Sequence, residues 1–252
     1  MKKIFSTVLF SLLATNIALA ASDAKHPIQQ EWAFDGFFGK QDVQSIQRGF
    51  QVYREVCSAC HGIHRVAYRN LKEIGFTEGE IKTIAQSYTV VDGPNDDGEM
   101  FERLGRPADY FVPPYKNEKA ARAANNGAYP LDLSLIIKAR EDGANYVYSL
   151  LNGYDEKAPE GIELGQGLHY NPYMAGGKIA MTKPLSDGQV TYADGTSSTV
   201  EQMSKDVVNF LQWTAEPEMN KRKYMGVRTF LYLLTFTLLF YFVKRRLWSN
   251  VK

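Results

Sequence analysis

The chain is poor in cysteine: its 252 residues include two, Cys57 and Cys60, which stand three positions apart. A disulfide between them would be purely local, and no second disulfide is possible, so the chain is not a disulfide-stabilised scaffold. A zinc site of the usual kind is excluded as well, because the second pair of Cys or His ligands at the required spacing is missing. The chain must therefore fold around a core of its own or around another cofactor.

Acidic residues are missing from both ends of the chain. All 28 of them lie between residues 21 and 220, a segment that holds 19 Lys and Arg and so has a formal charge of −9. An acidic body argues against nucleic acid as a partner and favours a basic protein. The densest acidic cluster lies in a predicted loop and is a candidate docking site, with a merely solvated loop as the alternative. It consists of Asp92, Asp96, Asp97 and Glu99.

Long apolar runs are rare, and the first one begins the chain. It follows a pair of lysines, extends from Ile4 to about Leu13, and leads to the small residues Ala18-Leu19-Ala20. This order is typical of a secretory signal peptide over residues 1–20, with an uncleaved anchor as the alternative. We therefore expect residues 21–220 to be an exported domain.

The second apolar run is Met225–Val243, which has no charge from Thr229 onward. It is long enough to cross a bilayer if Arg228 extends its charge toward the interface. We expect residues 221–252 to be a transmembrane anchor with a short cytoplasmic tail; a buried core helix is the alternative. Basic residues flank both ends of the run, so the orientation follows from the predicted signal peptide.

Apolar residues at helical spacing predict a mainly helical body. We predict helices over 42–57, 131–140 and 198–213, the last beginning with Ser198 and Glu201 as a capping box, and a short helix or strand over 146–151. Residues 152–194 are rich in Gly, Pro, Asn and Tyr and should be mostly irregular. So long an irregular segment needs an internal organiser, such as a large buried cofactor.

Cys57-Ser58-Ala59-Cys60-His61 has the C-x-x-C-H pattern of covalent c-type haem attachment. Two thiols at this spacing can add to the two vinyl groups of one porphyrin, and the next residue can then coordinate the iron. A thioredoxin-type redox motif is the main alternative, but it requires a strand before the motif, whereas a helix is predicted here. The sequence therefore predicts one haem bound through Cys57 and Cys60, with His61 as an iron ligand.

The second axial ligand stays open on spacing alone. Haem iron takes Met or His at this position, or leaves it vacant. His64 is too close to His61 in sequence to reach the opposite face of a haem. The remaining candidates are His26, His169, Met100, Met174, Met181 and Met219.

Several longer stretches resemble the cytochrome c1 family, the haem subunits of the quinol–cytochrome c oxidoreductase (bc1) complex. They are W-A-F-D-G-F-F-G (32–39), R-G-F-Q-V-Y-R-E-V-C-S-A-C-H (48–61), R-P-A-D-Y-F (106–111), A-A-N-N-G-A-Y-P-L-D-L-S (123–134), N-Y-V-Y-S-L-L-N-G-Y (145–154), N-P-Y-M-A-G-G-K-I-A-M (171–181) and D-V-V-N-F-L-Q-W-T-A-E-P-E (206–218). The resemblance implies a cytochrome c-type haem domain with long loop insertions and one C-terminal transmembrane helix.

The resemblance also implies roles for single residues. The family's axial methionine falls on Met181, its propionate-pairing arginine on Arg140, and a tyrosine near the haem on Tyr146. Without the resemblance Arg140 would be read as an ordinary surface arginine. The chain departs from the family pattern at Leu131, Ala175 and Thr182, which affects loop details and the redox potential rather than the ligands.

The implied function is one-electron transfer by a carrier subunit that is not an enzyme on its own. The electron would come from the Rieske iron–sulfur protein and pass to a cytochrome c, within a complex that contains cytochrome b. The expected location is a bacterial inner membrane, with the haem domain on the periplasmic side and the C-terminus in the cytoplasm. A free-standing membrane-anchored cytochrome that shuttles electrons is the alternative.

Overall fold

The computed structural model describes residues 24–251, so the predicted signal peptide, residues 1–20, lies outside the described residues. The described part is mainly helical, as predicted. Its α-helices are α1 (Val43–Glu55), α2 (Glu78–Gln86), α3 (Glu118–Ala124), α4 (Gly143–Asn152), α5 (Val200–Ala215) and α6 (Met219–Leu247). Two antiparallel pairs of short strands complete it: β1 (Thr89–Asp92) with β2 (Phe101–Leu104), and β3 (His169–Tyr170) with β4 (Lys178–Ile179).

Helix α1 confirms the prediction over 42–57. The Asp42 carboxylate accepts hydrogen bonds from the first-turn N–H groups of Gln44 and Ser45, which otherwise lack partners. One face of the helix, including Ile46 and Phe50, is buried in the core. The helix ends at Glu55, and a single tight turn over Cys57–Ala59 follows it.

Helices α1 and α5 cross at a point where no side chain fits between them. A Cβ atom on Gly49 would lie 2.0 Å from the backbone oxygen of Asp206, so the glycine lets the two backbones touch. Around the crossing, Phe210 packs against Phe50 and Tyr53 with ring centroids 5.6 and 5.5 Å apart. This crossing is the centre of the hydrophobic core.

A buried carboxylate also joins α1 to α5. Asp206 is fully buried and accepts hydrogen bonds from Nε and Nη2 of Arg48, both at 3.0 Å. Ser45 Oγ donates to it at 2.7 Å and Gln202 Nε2 at 3.0 Å. The hydrogen bonds from Arg48 to Asp206, with a smaller effect of Asp194, raise the pKa of Arg48 further above its usual range. The charge of Asp206 is thus compensated by a paired cation and by further donors.

The predicted start of α5 is wrong by one residue. The N-cap is Thr199, whose hydroxyl oxygen accepts from the N–H of Gln202, and not Ser198. The N–H of Val200 is satisfied from outside the helix by the carboxylate of Asp187, at 2.7 Å. A distant acceptor therefore takes part in capping the helix, which the local pattern could not indicate.

The prediction of a helix over 131–140 is wrong. The segment is a series of turns, in which Ile136 N donates to Leu133 O and Lys138 N to Leu135 O. Its first residues instead make hydrogen bonds to the distant stretch 61–65, with Leu133 N donating to Gly62 O at 2.9 Å. One i→i−4 bond forms, from Ala139 N to Leu135 O at 2.9 Å, but bonds to another segment and i→i−3 turns take the place of a continuous helical ladder.

The prediction of a short helix or strand over 146–151 is resolved in favour of a helix, α4, which begins earlier, at Gly143. Helix α2 was missed, although Thr77 and Glu80 form a capping box that its sequence displays. The stretch 152–194 is largely irregular, as predicted, and is interrupted only by single turns of 3₁₀ helix and by β3 and β4.

Helix α6 contains the predicted apolar run and extends beyond it at both ends. Its sequence is long and apolar enough to cross a membrane, and the membrane-spanning window is entirely exposed to solvent in the isolated chain. A buried core helix, the alternative reading of this run, is therefore ruled out. Met219 in its first turn is buried against the body.

Candidate haem site

The pentad forms one tight turn directly after α1. The N–H groups of Cys60 and His61 both donate to Cys57 O, at 3.1 and 2.9 Å. Both cysteines are free and partly buried, so they are not joined as a disulfide. Burial, with a smaller effect of neighbouring Cys60, raises the pKa of the Cys57 thiol to about 12. The turn thus brings two thiols and one imidazole to the same place.

The imidazole of His61 is oriented by a main-chain acceptor. Its Nδ1 lies 2.7 Å from Leu131 O, and because a carbonyl can only accept, Nδ1 must donate. Burial lowers the pKa of His61, so the ring is neutral. In the neutral ring the lone pair is then on Nε2, which is the arrangement that a metal-ligating histidine requires.

Asp132, the residue after Leu131, connects this segment to the stretch that follows the pentad. Its carboxylate accepts from the backbone N–H groups of His64 at 2.9 Å and of Ser134 at 3.0 Å, and also contacts the ring Nδ1 of His64. His64 is therefore engaged beside the pentad. Neither Leu131 nor Asp132 was predicted as a functional residue. Leu131 acts through its backbone oxygen, which has no signature in the sequence.

The methionine candidates lie in different surroundings. Met100 is exposed at the edge of the β1–β2 hairpin, and Met219 is buried in the first turn of α6. Met181 is partly buried and packs against the core, and its backbone oxygen accepts from the hydroxyl of Tyr154 at 3.0 Å. Met174 is also partly buried, but its sulfur lies 3.9 Å from the hydroxyl of Tyr146.

Arg140 and Tyr146 lie on either side of the start of α4. Tyr146 is partly buried and packs against the core. Arg140 is exposed and, among the described residues, donates one hydrogen bond, from Nη1 to the neighbouring Ala139 O at 3.1 Å. A guanidinium has five N–H groups, so Arg140 keeps donors for a carboxylate from outside the chain.

Several partly covered apolar side chains suit contact with a haem. Leu133, Ile136, Tyr146 and Met181 are apolar, only partly covered, and packed against the fully buried core, as is Cys57. A porphyrin is a large apolar plate that would cover such side chains. Among residues 24–251, no group of three His, Cys, Asp or Glu side chains could hold a bare metal ion. The groups present suit a covalently attached haem: two thiols for the vinyl groups, and an imidazole and a thioether for the iron.

The acidic cluster lies around the turn of the β1–β2 hairpin. Asp92 is paired with Arg103, whose Nε lies 2.5 Å from the carboxylate. Hydrogen bonds from Arg103 hold the pKa of Asp92 below its usual value. Asp96, Asp97 and Glu99 are exposed. The cluster therefore has three exposed carboxylates and one that is engaged within the hairpin.

Comparison with known proteins gives one family and several close relatives. A family model described as the Cytochrome C1 family matches residues 32–251. "Cytochrome b/c1" of Bradyrhizobium diazoefficiens is 48% identical over 254 residues, which cover 92% of this chain and 37% of that protein. The chain thus spans little more than a third of that relative's length.

Two eukaryotic relatives are covered over most of their length. "Cytochrome c1 1, heme protein, mitochondrial" of Arabidopsis thaliana is 50% identical over 245 residues, 96% of this chain and 79% of that protein. "Cytochrome b-c1 complex catalytic subunit, mitochondrial" of Candida albicans is 48% identical over 233 residues, 92% of this chain and 81% of that protein.

Proposed function

Because the chain belongs to the cytochrome c1 family, we propose that it is the haem-carrying electron-transfer subunit of a membrane-bound b-c1 complex. The single observation that carries the proposal is the pentad turn, in which His61 is neutral and has its Nε2 lone pair free. Cys57 and Cys60 would hold one haem c covalently, and His61 would ligate its iron. When bound, the haem supplies an iron that exchanges one electron at a time.

The protein's own residues set the conditions for that exchange. The Leu131 carbonyl fixes the orientation of the His61 ring and makes it a better donor. Met181 would supply a soft thioether to the iron, which would favour the reduced iron and raise the potential relative to a second histidine. The half-buried side chains of Leu133 and Ile136 exclude water from this side. Arg140 pairs with a propionate, and Tyr146 packs near the ring.

The choice of Met181 over Met174 is tested by single substitutions. Met181→Ala should abolish the sulfur–iron charge-transfer band of the oxidised protein and lower the midpoint potential by a sizeable part of the roughly 0.8 V that axial ligands span. Met174→Ala is the matched control and should change neither. If the control variant loses the band, the ligand is Met174. Attachment itself is tested by a haem stain that survives SDS, which should vanish in Cys57→Ser Cys60→Ser.

We further propose that the electron comes from a Rieske iron–sulfur protein, and that the complex includes cytochrome b. The names of the Bradyrhizobium and Candida relatives, which join b and c1, support the association with cytochrome b. The Rieske donor follows from the family resemblance alone. A tagged form of this chain should retain a b-type spectrum after purification in mild detergent. Recovery of the haem-loaded chain without any b-type spectrum would favour the free-standing alternative.

The acceptor is proposed to be a basic cytochrome c that docks at Asp96, Asp97 and Glu99. These carboxylates are exposed, whereas in the other acidic stretch of the body Asp155 is paired with Lys183 and Glu156 with Lys25. Unpaired charges attract a basic partner over a longer range.

Neutralising the three carboxylates to Asn, Asn and Gln should slow association at low ionic strength by about tenfold. The same change at Asp155, Glu156 and Glu160 is the control and should have a smaller effect. Stopped-flow oxidation at several salt concentrations measures both. Equal rates for the two variants would contradict the docking site.

We also propose where the chain lies in the cell. α6 crosses a bacterial inner membrane, the body 21–220 lies on the periplasmic side, and the basic residues after the apolar run lie in the cytoplasm. The length and composition of α6 support the crossing, and the apolar start of the chain supports export of the body. Protease added to intact spheroplasts should therefore digest the body.

A further inference from the structure

Two large apolar side chains lie exposed in the loop of residues 32–39, which precedes α1. Phe37 and Phe38 are 61% and 78% exposed, with ring centroids 5.0 Å apart. In the same loop Trp32 and Phe34 are buried, so the exposure is confined to this pair. Adjacent exposed phenylalanines cost solubility unless something covers them.

The loop is bound to the first turns of α6. Lys223 Nζ donates to three backbone oxygens of the loop: Phe34 at 2.7 Å, Gly36 at 2.6 Å and Gly39 at 3.1 Å. An ammonium group has three protons, and all of them are used here. The phenylalanine pair stands between the second and third of these oxygens. The phenylalanine pair therefore lies beside α6 at the level of Lys223.

Just after the loop, a second set of contacts makes the same connection. Gln41 N donates to Asn220 Oδ1 and Gln41 Nε2 to Glu216 O, both at 3.0 Å. The loop is thus fixed at two places to the segment where the body passes into α6. A fixed loop keeps the two phenyl groups at a constant height relative to the helix.

Lys223 lies at the expected boundary of the hydrocarbon layer. The uncharged stretch Thr229–Val243 is 15 residues long, about 22 Å at 1.5 Å per residue, which is short of the ~30 Å hydrocarbon core. On the C-terminal side three basic residues follow at once, whereas on the N-terminal side Met225, Gly226 and Val227 continue the apolar run. The boundary therefore falls near Tyr224, directly beside Lys223.

We propose that Phe37 and Phe38 insert into the lipid interface and give the body a second contact with the membrane. The inference rests on α6 crossing the bilayer, which is part of the proposed function. Aromatic rings are favoured at the headgroup level, and the pair lies at that level, next to the helix. Lys223 acts as the positioning residue that holds the loop there.

Spin labels at single introduced cysteines test this in the purified full chain, haem-loaded and reconstituted into phosphatidylcholine–phosphatidylglycerol vesicles. Thioether bonds occupy Cys57 and Cys60 in this form, so only the introduced cysteine reacts. The labels are placed by Phe37→Cys and Phe38→Cys, with Val91→Cys on the exposed hairpin as the aqueous control and Leu238→Cys in α6 as the lipid control. Collision with oxygen, which enters lipid, is compared with collision with a water-soluble nickel chelate.

The ratio of oxygen to nickel collisions at positions 37 and 38 should exceed that at position 91 several-fold. Adding Lys223→Ala should lower the ratio at position 38 while position 238 stays unchanged. A ratio at 37 and 38 equal to that at 91 would overturn the inference. Low collision rates with both reagents would also overturn it, because another protein surface would then cover the pair. An aqueous signal at position 238 would instead overturn the membrane-spanning assignment of α6.

Discussion

Two regions of the body hold the pentad turn, and they are stabilised differently. Helix α1 leads into the turn and is fixed to α5 by interlocking side chains around Gly49 and the buried Asp206. The segment 131–134 reaches the turn through backbone groups, with Leu131 O on the His61 ring and Leu133 N on Gly62 O. The first region depends on which side chains are present, and the second on where the main chain runs.

This difference predicts different consequences of damage. Close packing spreads strain, so a change in the α1–α5 region should lower the free energy of unfolding of the whole domain. Single hydrogen bonds in the 131–134 segment should affect local opening first. Variants at Asp206 and Gly49 test the first region, and a variant at Asp132 tests the second.

The largest effect is expected at the buried carboxylate of α5. Asp206→Ala leaves Arg48, whose side chain is 17% exposed, with Asp194 as its remaining carboxylate partner, at 3.0 Å. Breaking such a pair should lower the free energy of unfolding by about 3 kcal/mol. Urea denaturation of the haem-loaded protein measures it.

The double variant Arg48→Met Asp206→Leu serves as the control for that prediction. It removes both charges and should recover much of the loss, since an apolar pair of similar volume replaces the ion pair well. A double variant as unstable as Asp206→Ala would show that packing or the lost hydrogen bonds from Ser45 and Gln202, and not the loss of the buried partner of Arg48, cause the destabilisation.

A smaller loss is expected at the helix crossing. Gly49→Ala places a methyl group 2.0 Å from the backbone oxygen of Asp206, so α1 and α5 must move apart. Overpacking of this kind costs about 2 kcal/mol. The control is Gly79→Ala in α2, where a Cβ meets no atom within 4 Å and the change should be neutral or stabilising. Equal unfolding midpoints for the two variants would contradict the close crossing.

In the 131–134 segment the expected effect is local. Asp132→Ala removes the acceptor of the His64 and Ser134 N–H groups, at about 1 kcal/mol. Amide hydrogen exchange should accelerate at His64 and Leu133 but not in α1 or α5. The exposed Asp96→Ala is the control. Accelerated exchange throughout α5 would mean that the two regions unfold together.

The smallest effect is a dependence on pH at the β1–β2 hairpin. Hydrogen bonds from Arg103 lower the pKa of Asp109 to about 2, below its usual value near 4. A lowered pKa adds stability above the unfolded value, and that stability is lost as the pH falls from about 4 to 2. NMR shifts of the hairpin amides across this range should follow the change, and Asp109→Asn should abolish it. An unchanged titration in that variant would assign the transition to another group.

The sequence predicted the region built from side chains better than the region built from the main chain. Helix α1 and most of α5 followed from apolar residues at helical spacing, because these helices bury the faces that the pattern marks. The segment 131–140 also has apolar residues at such spacing, but its backbone groups bond to a turn about 70 positions earlier in the chain. A local pattern contains no information about such a partner.

The same difference between side chains and main chain holds for the candidate haem site. Cys57, Cys60 and His61 were predicted from their spacing, since a single turn of chain brings them together. Leu131 was missed because any residue supplies a carbonyl. Met181 could not be separated from Met174 by spacing, and both are partly buried in the structure. Its assignment still depends on the family resemblance and on the substitutions proposed above.

Helices α5 and α6 are joined by three residues, Glu216–Glu218. The joint is braced: Arg222 Nε donates to Glu216 Oε1 at 2.6 Å, and Met219 is buried against the body. Such a short, braced joint does not allow the body to swing on a tether, so its redox centre would not travel between donor and acceptor. Any carrier that exchanges electrons with it must come to it, and the distance between the two partners must be covered by their movement.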